Sequence, residues 1–258
     1  MRRPAPSLAL ALLGIAFLAL PLLGLLLRVP WSDLPSQLSE PALGQALGLS
    51  LLCSVAAAAL AGLLGLPLAH WLALGRSRGR AWVRILVVLP MVLPPVVAGV
   101  ALLLAFGRQG LIGAPLEALT GITLGFTPFA VILAEAYVAL PFFVLAAESG
   151  LRSIDPRFAE AAATLGAGPA RRFRTITLPL IAPALRAGLL LAWARALGEF
   201  GATITFAGNF AGETRTLPLA VYTALETSPD AAIALSVVLV AISAGVLFLL
   251  RDRWFPQR

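Results

Sequence analysis

Apolar residues run along this chain in blocks about twenty long, separated by short stretches that collect the arginines, prolines and acids. About 20 helical residues cross a hydrocarbon core of about 30 Å, and six blocks reach that length. They cover about Ser7–Leu27, a stretch within Ala42–Leu74, Ile85 to about Phe106, about Ile122–Ala147, about Pro183–Phe206, and Ala231–Leu250. The first is free of charge, the fourth carries Glu135, and the fifth carries Arg186, Arg195 and Glu199. The expected fold is all-α: a polytopic membrane protein of six transmembrane helices, forming one domain over residues 1–258.

Within the spans, prolines interrupt the pattern at Pro67, Pro90, Pro94, Pro95, Pro128 and Pro141. Membrane helices tolerate them because neighbouring helices re-satisfy the freed carbonyls. The run Pro90-Met91-Val92-Leu93-Pro94-Pro95 predicts a kink or unwinding in the third span, either for helix packing or as a hinge beside a pathway. The first block follows Arg2 and Arg3 as a signal peptide would. Its length, and the lack of a clear A-x-A site before Arg28, predict a retained helix.

Composition agrees: 60% of residues are hydrophobic and 12% charged, with a mean hydropathy of +0.95. Soluble domains are about 45–50% apolar and about 25% charged, so a soluble globular protein is excluded. All 19 basic residues are arginine. Without lysine the chain lacks the phosphate-binding residue of a P-loop ATPase and the amine of a Schiff-base enzyme. One cysteine, Cys53, and one histidine, His70, leave no disulfide framework and no Cys/His metal cluster, so no catalytic or metal residue is assigned. Cys53 is expected to be packing and His70 interfacial. No aspartate lies in an apolar block, which excludes an intramembrane aspartyl dyad.

The net charge of +7 reads as topology rather than as nucleic-acid binding. With a cytoplasmic N-terminus, the inner loops hold Arg2, Arg3, Arg76, Arg78, Arg80, Arg84, Arg152, Arg157, Arg171, Arg172, Arg174, Arg186, Arg251, Arg253 and Arg258. The outer loops hold only Arg28, Arg108 and Arg215, and they carry Asp33, Glu40, Glu117, Glu213, Glu226 and Asp230. The positive-inside rule and the even number of spans both predict cytoplasmic termini.

The longest inner loop, 149–182, has its own helical pattern. Asp155-Pro156 supplies an N-cap and a first-turn proline. Phe158, Ala161, Ala162 and Leu165 then fall on one face, and Gly166 ends the helix. Pro169 opens a second short helix in which Phe173, Ile176 and Thr177 share a face, and Pro179 is expected to close it. Such a pair could lie on lipid, pack under the bundle, or enter a groove on a soluble partner.

Glu160-Ala161-Ala162, then Gly166 after three residues, then Ile176-Thr177-Leu178-Pro179 after nine more, match the EAA loop at every defined position. In this it resembles the permease subunits of ABC importers. The resemblance implies a coupling helix between spans 4 and 5, with Glu160, Ala161, Ala162, Gly166, Phe173, Ile176, Leu178 and Pro179 engaging a separate ATP-hydrolysing subunit. ATP and magnesium would sit on that partner, and no cofactor on this chain. Ala194-Arg195-Ala196-Leu197-Gly198-Glu199-Phe200-Gly201-Ala202 resembles the molybdate and sulfate permease group. Phe206-Ala207-Gly208-Asn209, Thr214–Tyr222 and Leu89–Val97 are more similar to its molybdate branch. The similarity covers about 42–250, with the first helix at about 7–27 outside it.

That family implies an importer of molybdate, or of the similar tungstate or sulfate, in a bacterial or archaeal cytoplasmic (inner) membrane. Its partners would be a pair of ATPase subunits, an extracytoplasmic molybdate-binding protein and a second copy of this chain. Arg195 and Glu199, one helical turn apart, are either an internal ion pair or a pathway element, with Arg195 beside a passing dianion. Glu135 either marks the pathway or pairs with Arg195. Asn209 is an outer-gate residue or a loop cap, and Arg215 meets a binding protein or is simply solvated. A secondary transporter would want an inverted repeat and proton-relay acids, and an intramembrane hydrolase a Ser–His or metal centre. Neither rival accounts for the EAA loop.

Overall fold

The computed structural model describes residues 5–75 and 79–254. Arg2, Arg3, Arg76, Arg78 and Arg258, used above for topology, lie outside the described residues. The helices in chain order are α1 (Ala5–Leu27), α2 (Leu34–Leu38), α3 (Pro41–Leu74), α4 (Arg80–Val92), α5 (Pro95–Phe106), α6 (Gly113–Thr120) and α7 (Pro128–Arg152). Then come α8 (Pro156–Thr164), α9 (Pro169–Arg172), a π turn (Phe173–Thr177), α10 (Leu178–Leu197), α11 (Gly201–Phe206), α12 (Leu217–Thr227) and α13 (Pro229–Trp254). No strand occurs among the described residues. The fold is all-α, as expected.

Five stretches are long and apolar enough to cross a membrane: Leu8–Leu27, Pro41–Leu74, Pro128–Arg152, Pro169–Leu197 and Pro229–Phe248. The third expected span is not one helix. It is split into α4 and α5, which meet at 119°. Pro94 and Pro95 lack N–H donors, and each proline pushes the residue before it out of the helical region. Leu93 and Pro94 are accordingly extended, with ψ of 136° and 133°. Pro90 stays inside α4. The bundle thus has six crossings only if this bent pair counts as one.

Two other spans change their bounds. The fourth span starts at Pro128, not Ile122, because Thr127 caps it, its Oγ1 accepting from the Ala130 N–H at 3.3 Å. The fifth span starts earlier, and Pro179 does not close the helix before it: Pro169–Leu197 is continuous. The π turn supplies the reason. Leu178 donates to the Phe173 carbonyl, five residues back. That wider turn accommodates the missing Pro179 N–H and shifts the carbonyl its ring would meet in an α-helix. At the far end the expected span breaks at Gly198–Phe200, leaving α11 as a separate short helix.

Helix α7 is the centre, packed on α3 and α10; α5 packs on α11, and α12 on α13. Ala57, Ala61, Ala139, Ala147, Ala192 and Ala196 form one contact layer around Phe143. Cys53, Ala98, Ala130, Ala134, Ala202 and Phe206 form another, so Cys53 is packing, as expected. Small residues let helix backbones approach in lipid, where no hydrophobic drive holds helices together.

Candidate functional site

The loop that matches the EAA pattern forms a capped, solvent-facing helix. Asp155 accepts from the Arg157 N–H at 2.9 Å and Pro156 takes the first turn, so α8 starts at a defined residue. At its other end Gly166 N–H reaches the Ala163 carbonyl and Ala167 N–H the Ala162 carbonyl, both at 3.0 Å. That is the paired bonding of a Schellman cap, which needs a left-handed residue. Gly166 supplies it, with φ +77°. Arg172 Nη1 donates to the Ala159 carbonyl at 3.4 Å and so fastens the next helix to α8.

The stripe expected on α8 divides. Ala162 is buried, while Phe158 and Leu165 are 55% and 87% exposed, and Glu160 and Ala161 face solvent with them. Beyond the cap, Phe173, Ile176 and Leu178 are half-buried and Pro179 is exposed. The Phe173 ring meets the His70 ring edge-on, with centroids 5.6 Å apart. Phe173 thus fixes the segment to the last turns of α3, and His70 is its packing partner.

Directly above lies an ion network that the sequence reading did not anticipate. Glu148, 5% exposed, pairs through Oε1 with Arg84 of α4 and with Arg152 of its own helix, the latter at 2.9 Å. Arg152 Nη2 also donates to the Leu72 carbonyl at 3.3 Å. Glu148 followed by Arg152 one turn later was a usable signal, since Glu before Arg is the favourable i,i+4 order. The partner on α4 was not, because 64 residues separate the pair.

In the bundle interior the structure brings Arg195, Glu199 and Glu135 together, but not as one of the alternatives had it. Arg195 Nη2 bonds Glu199 Oε2 at 2.5 Å, rather than reaching Glu135. The other Glu199 oxygen accepts from the Ala202 N–H at 2.8 Å and so caps α11. One carboxylate thereby bridges the break between α10 and α11. Its burial (1% exposed) explains why the pair forms in the less favourable Arg-before-Glu order. Glu135, equally buried on α7, lies within electrostatic reach of Glu199, and its Oε2 has no hydrogen-bond partner. The start of α11 packs on the start of α5: a Cβ on Gly201 would stand 2.6 Å from Pro95 Cβ. The two chain breaks therefore meet beside the charges.

At the opposite end, Asn209 is held rather than free. Arg215 Nε donates to its Oδ1 at 2.9 Å, and its Nδ2 donates to Thr223 Oγ1 at 3.0 Å. Arg215 also borders a cavity of about 380 Å³ with Gln37, Glu40, Thr223 and Thr227. Asn209 is thus held between Arg215 and Thr223, and Arg215 is half-buried instead of solvated.

The family described as "Binding-protein-dependent transport system inner membrane component" matches residues 61–258. The chain belongs to that family. It is a multi-pass inner-membrane permease of the ABC type, a component that works with other subunits of a binding-protein-dependent system. It is 48% identical over 237 residues to the molybdenum transport system permease protein ModB of Mycobacterium tuberculosis, covering 92% of this chain and 89% of that one. To the protein of the same name from Escherichia coli K12 it is 44% identical over 163 residues, or 63% of this chain and 71% of that one. A bacterial ABC transporter that imports the acidic polysaccharide alginate shares the fold, with a TM-score of 0.77 over 98% of this chain and 95% of that one, at 16% identity.

Proposed function

We propose that this permease moves molybdate inward across the cytoplasmic membrane, driven by ATP hydrolysis on a separate subunit. The observation that carries the reading is the 48% identity, over 92% of the chain, to a molybdenum transport permease. Tungstate, of the same shape and charge, would follow the same path. Both termini are cytoplasmic, as the arginine distribution requires. Two copies of the chain assemble, since each carries one coupling segment and the ATPase works as a pair. A molybdate-binding protein delivers the anion to the outer face. The chain has no lysine for a nucleotide phosphate, so ATP and magnesium belong to the partner.

The division of work follows from the geometry. Exposed Phe158 and Leu165 on a helix capped at both ends give an ATPase groove a rigid apolar ridge to hold. Arg195, part-exposed, meets the anion in passage, and Glu199 limits how firmly it is held, since an unneutralised arginine would trap a dianion. Radiolabelled molybdate and sulfate uptake, in cells with and without this chain, tests the reading. Loss of molybdate uptake alone supports it. Loss of sulfate uptake alone moves the cargo, and loss of neither removes it.

A further inference from the structure

Glu148 has no part in the transport reading above, yet it stands where three helices end. Its Oε1 receives Arg84 from α4 and Arg152 from α7, and Arg152 continues to the Leu72 carbonyl in the last turn of α3. Arg80 Nη1, from the first residue of α4, lies 3.5 Å from that same carbonyl. Following α7 onward from Glu148, only Ser153, Ile154 and Asp155 separate Arg152 from the start of α8. Along α4 from Arg84, the chain runs two turns to the break at Leu93–Pro94, where Pro95 touches Gly201 beside Glu199.

The burial of α4 makes this pairing more than a surface decoration. Only Val87 and Pro90 of α4 are buried, whereas Trp82, Ile85, Leu86, Leu89 and Val92 are exposed on this chain. A helix with so few buried apolar contacts on this chain is one whose position a single ion pair to an enclosed carboxylate can decide. Glu148 is almost fully enclosed while its Arg84 partner is 44% exposed, so the carboxylate stays fixed and the arginine can leave into solvent. An arrangement with one fixed and one releasable partner has two discrete states, the kind of element through which a local movement is passed on.

We propose that Glu148 is a positioning residue for transport, the fixed half of an ionic latch that ties the coupling segment to α4 and, through α4, to the breaks beside Arg195 and Glu199. The inference rests on the permease reading. When the partner subunit moves α8, the end of α7 moves with it, and Glu148 carries Arg84 along or lets it go. A latch without its charge leaves ATP hydrolysis running while α4 no longer follows.

The test uses the assembled complex, with its ATPase subunits and binding protein, in proteoliposomes. Glu148→Gln keeps the size and an acceptor oxygen, and Arg84→Gln changes a part-exposed residue, so one of the two reports even if the other assembles poorly. Molybdate moved per ATP hydrolysed is expected to fall by about ten-fold in each, with the amount of assembled complex preserved. The double variant is expected to be no worse than Glu148→Gln, because both remove the same contact. An unchanged ratio in either variant overturns the latch, as does a loss of assembled complex with a normal ratio in what remains. A double variant far below both singles also overturns it. A wild-type complex that moves no molybdate with ATP overturns the molybdate reading, and the latch as a device of that transport falls with it.

Discussion

Gly166 offers the sharpest test of how the segment proposed to couple to the ATPase is built. Its φ of +77° belongs to the left-handed region, and a Cβ placed there would meet nothing within 4 Å. Any cost of Gly166→Ala is therefore backbone strain alone, about 1–2 kcal/mol for an L-residue. That corresponds to about a five- to thirty-fold shift against the capped form. The shift is visible only if the cap is marginal, and a nine-residue helix exposed along most of its length is in that regime. Asn tolerates the left-handed region, so Gly166→Asn costs less. Gly166→Pro, with φ locked near −65° and no N–H for the Ala163 carbonyl, costs most. Membrane insertion depends on the spans and is unaffected throughout. The assay is transport per assembled complex, with the ATPase rate measured alongside. The expected order is Gly, then Asn, then Ala, then Pro, with ATP hydrolysis outlasting transport. Normal uptake in Gly166→Pro, or an Asn variant no better than Ala, would refute the argument.

Further expectations follow from the same geometry. Changing Phe158 and Leu165 together to Ser alters exposed positions, so folding shifts by no more than about 0.5 kcal/mol, while affinity for the ATPase subunit, read by co-purification, falls by about 2 kcal/mol or more. Glu199→Gln leaves Arg195 without its counter-charge inside the bundle and lowers stability by about 3 kcal/mol, read as a fall in Tm of the purified protein; an unchanged Tm would contradict the buried pair. Gly201→Val drives a side chain into Pro95 and costs about 1–3 kcal/mol; it is expected to stop uptake while co-purification with the ATPase persists.

The parts of this structure readable from sequence were those decided by neighbours along the chain. Asp155-Pro156 and Gly166 fix the ends of α8 by capping chemistry that spans a few residues, and both ends fell where expected. The prolines at 90–95 announced a break, though not that Leu93 and Pro94 would turn the chain through 119°. Pro179 misled because a proline normally ends a helix, and one π turn, sustained by continuity with the span beyond, was enough to carry the helix past it. Thr127-Pro128 is a start signal as clear as Asp155-Pro156, but the apolar residues ahead of it, from Ile122, extended the hydropathy block and hid it.

Pairings across the fold were harder. Arg195 chose the acid four residues on, in the break just past its own helix, because Glu199 could also cap α11, and that second bond was invisible until the break at Gly198–Phe200 was known. Glu135 is a buried charge in its span, yet the charged group within its electrostatic reach is another carboxylate, Glu199, and the Arg195 it was weighed against pairs elsewhere. Glu148 escaped notice because it sits at a span end, where acids need no explanation, and its partner on α4 has no periodic relation to it.

The most direct test of the whole account is molybdate accumulation in proteoliposomes holding this chain, its ATP-hydrolysing partner and the loaded binding protein. The account predicts accumulation that requires ATP on the side of the coupling segment and disappears when this chain is omitted. Accumulation without ATP, driven by a proton gradient alone, would contradict it.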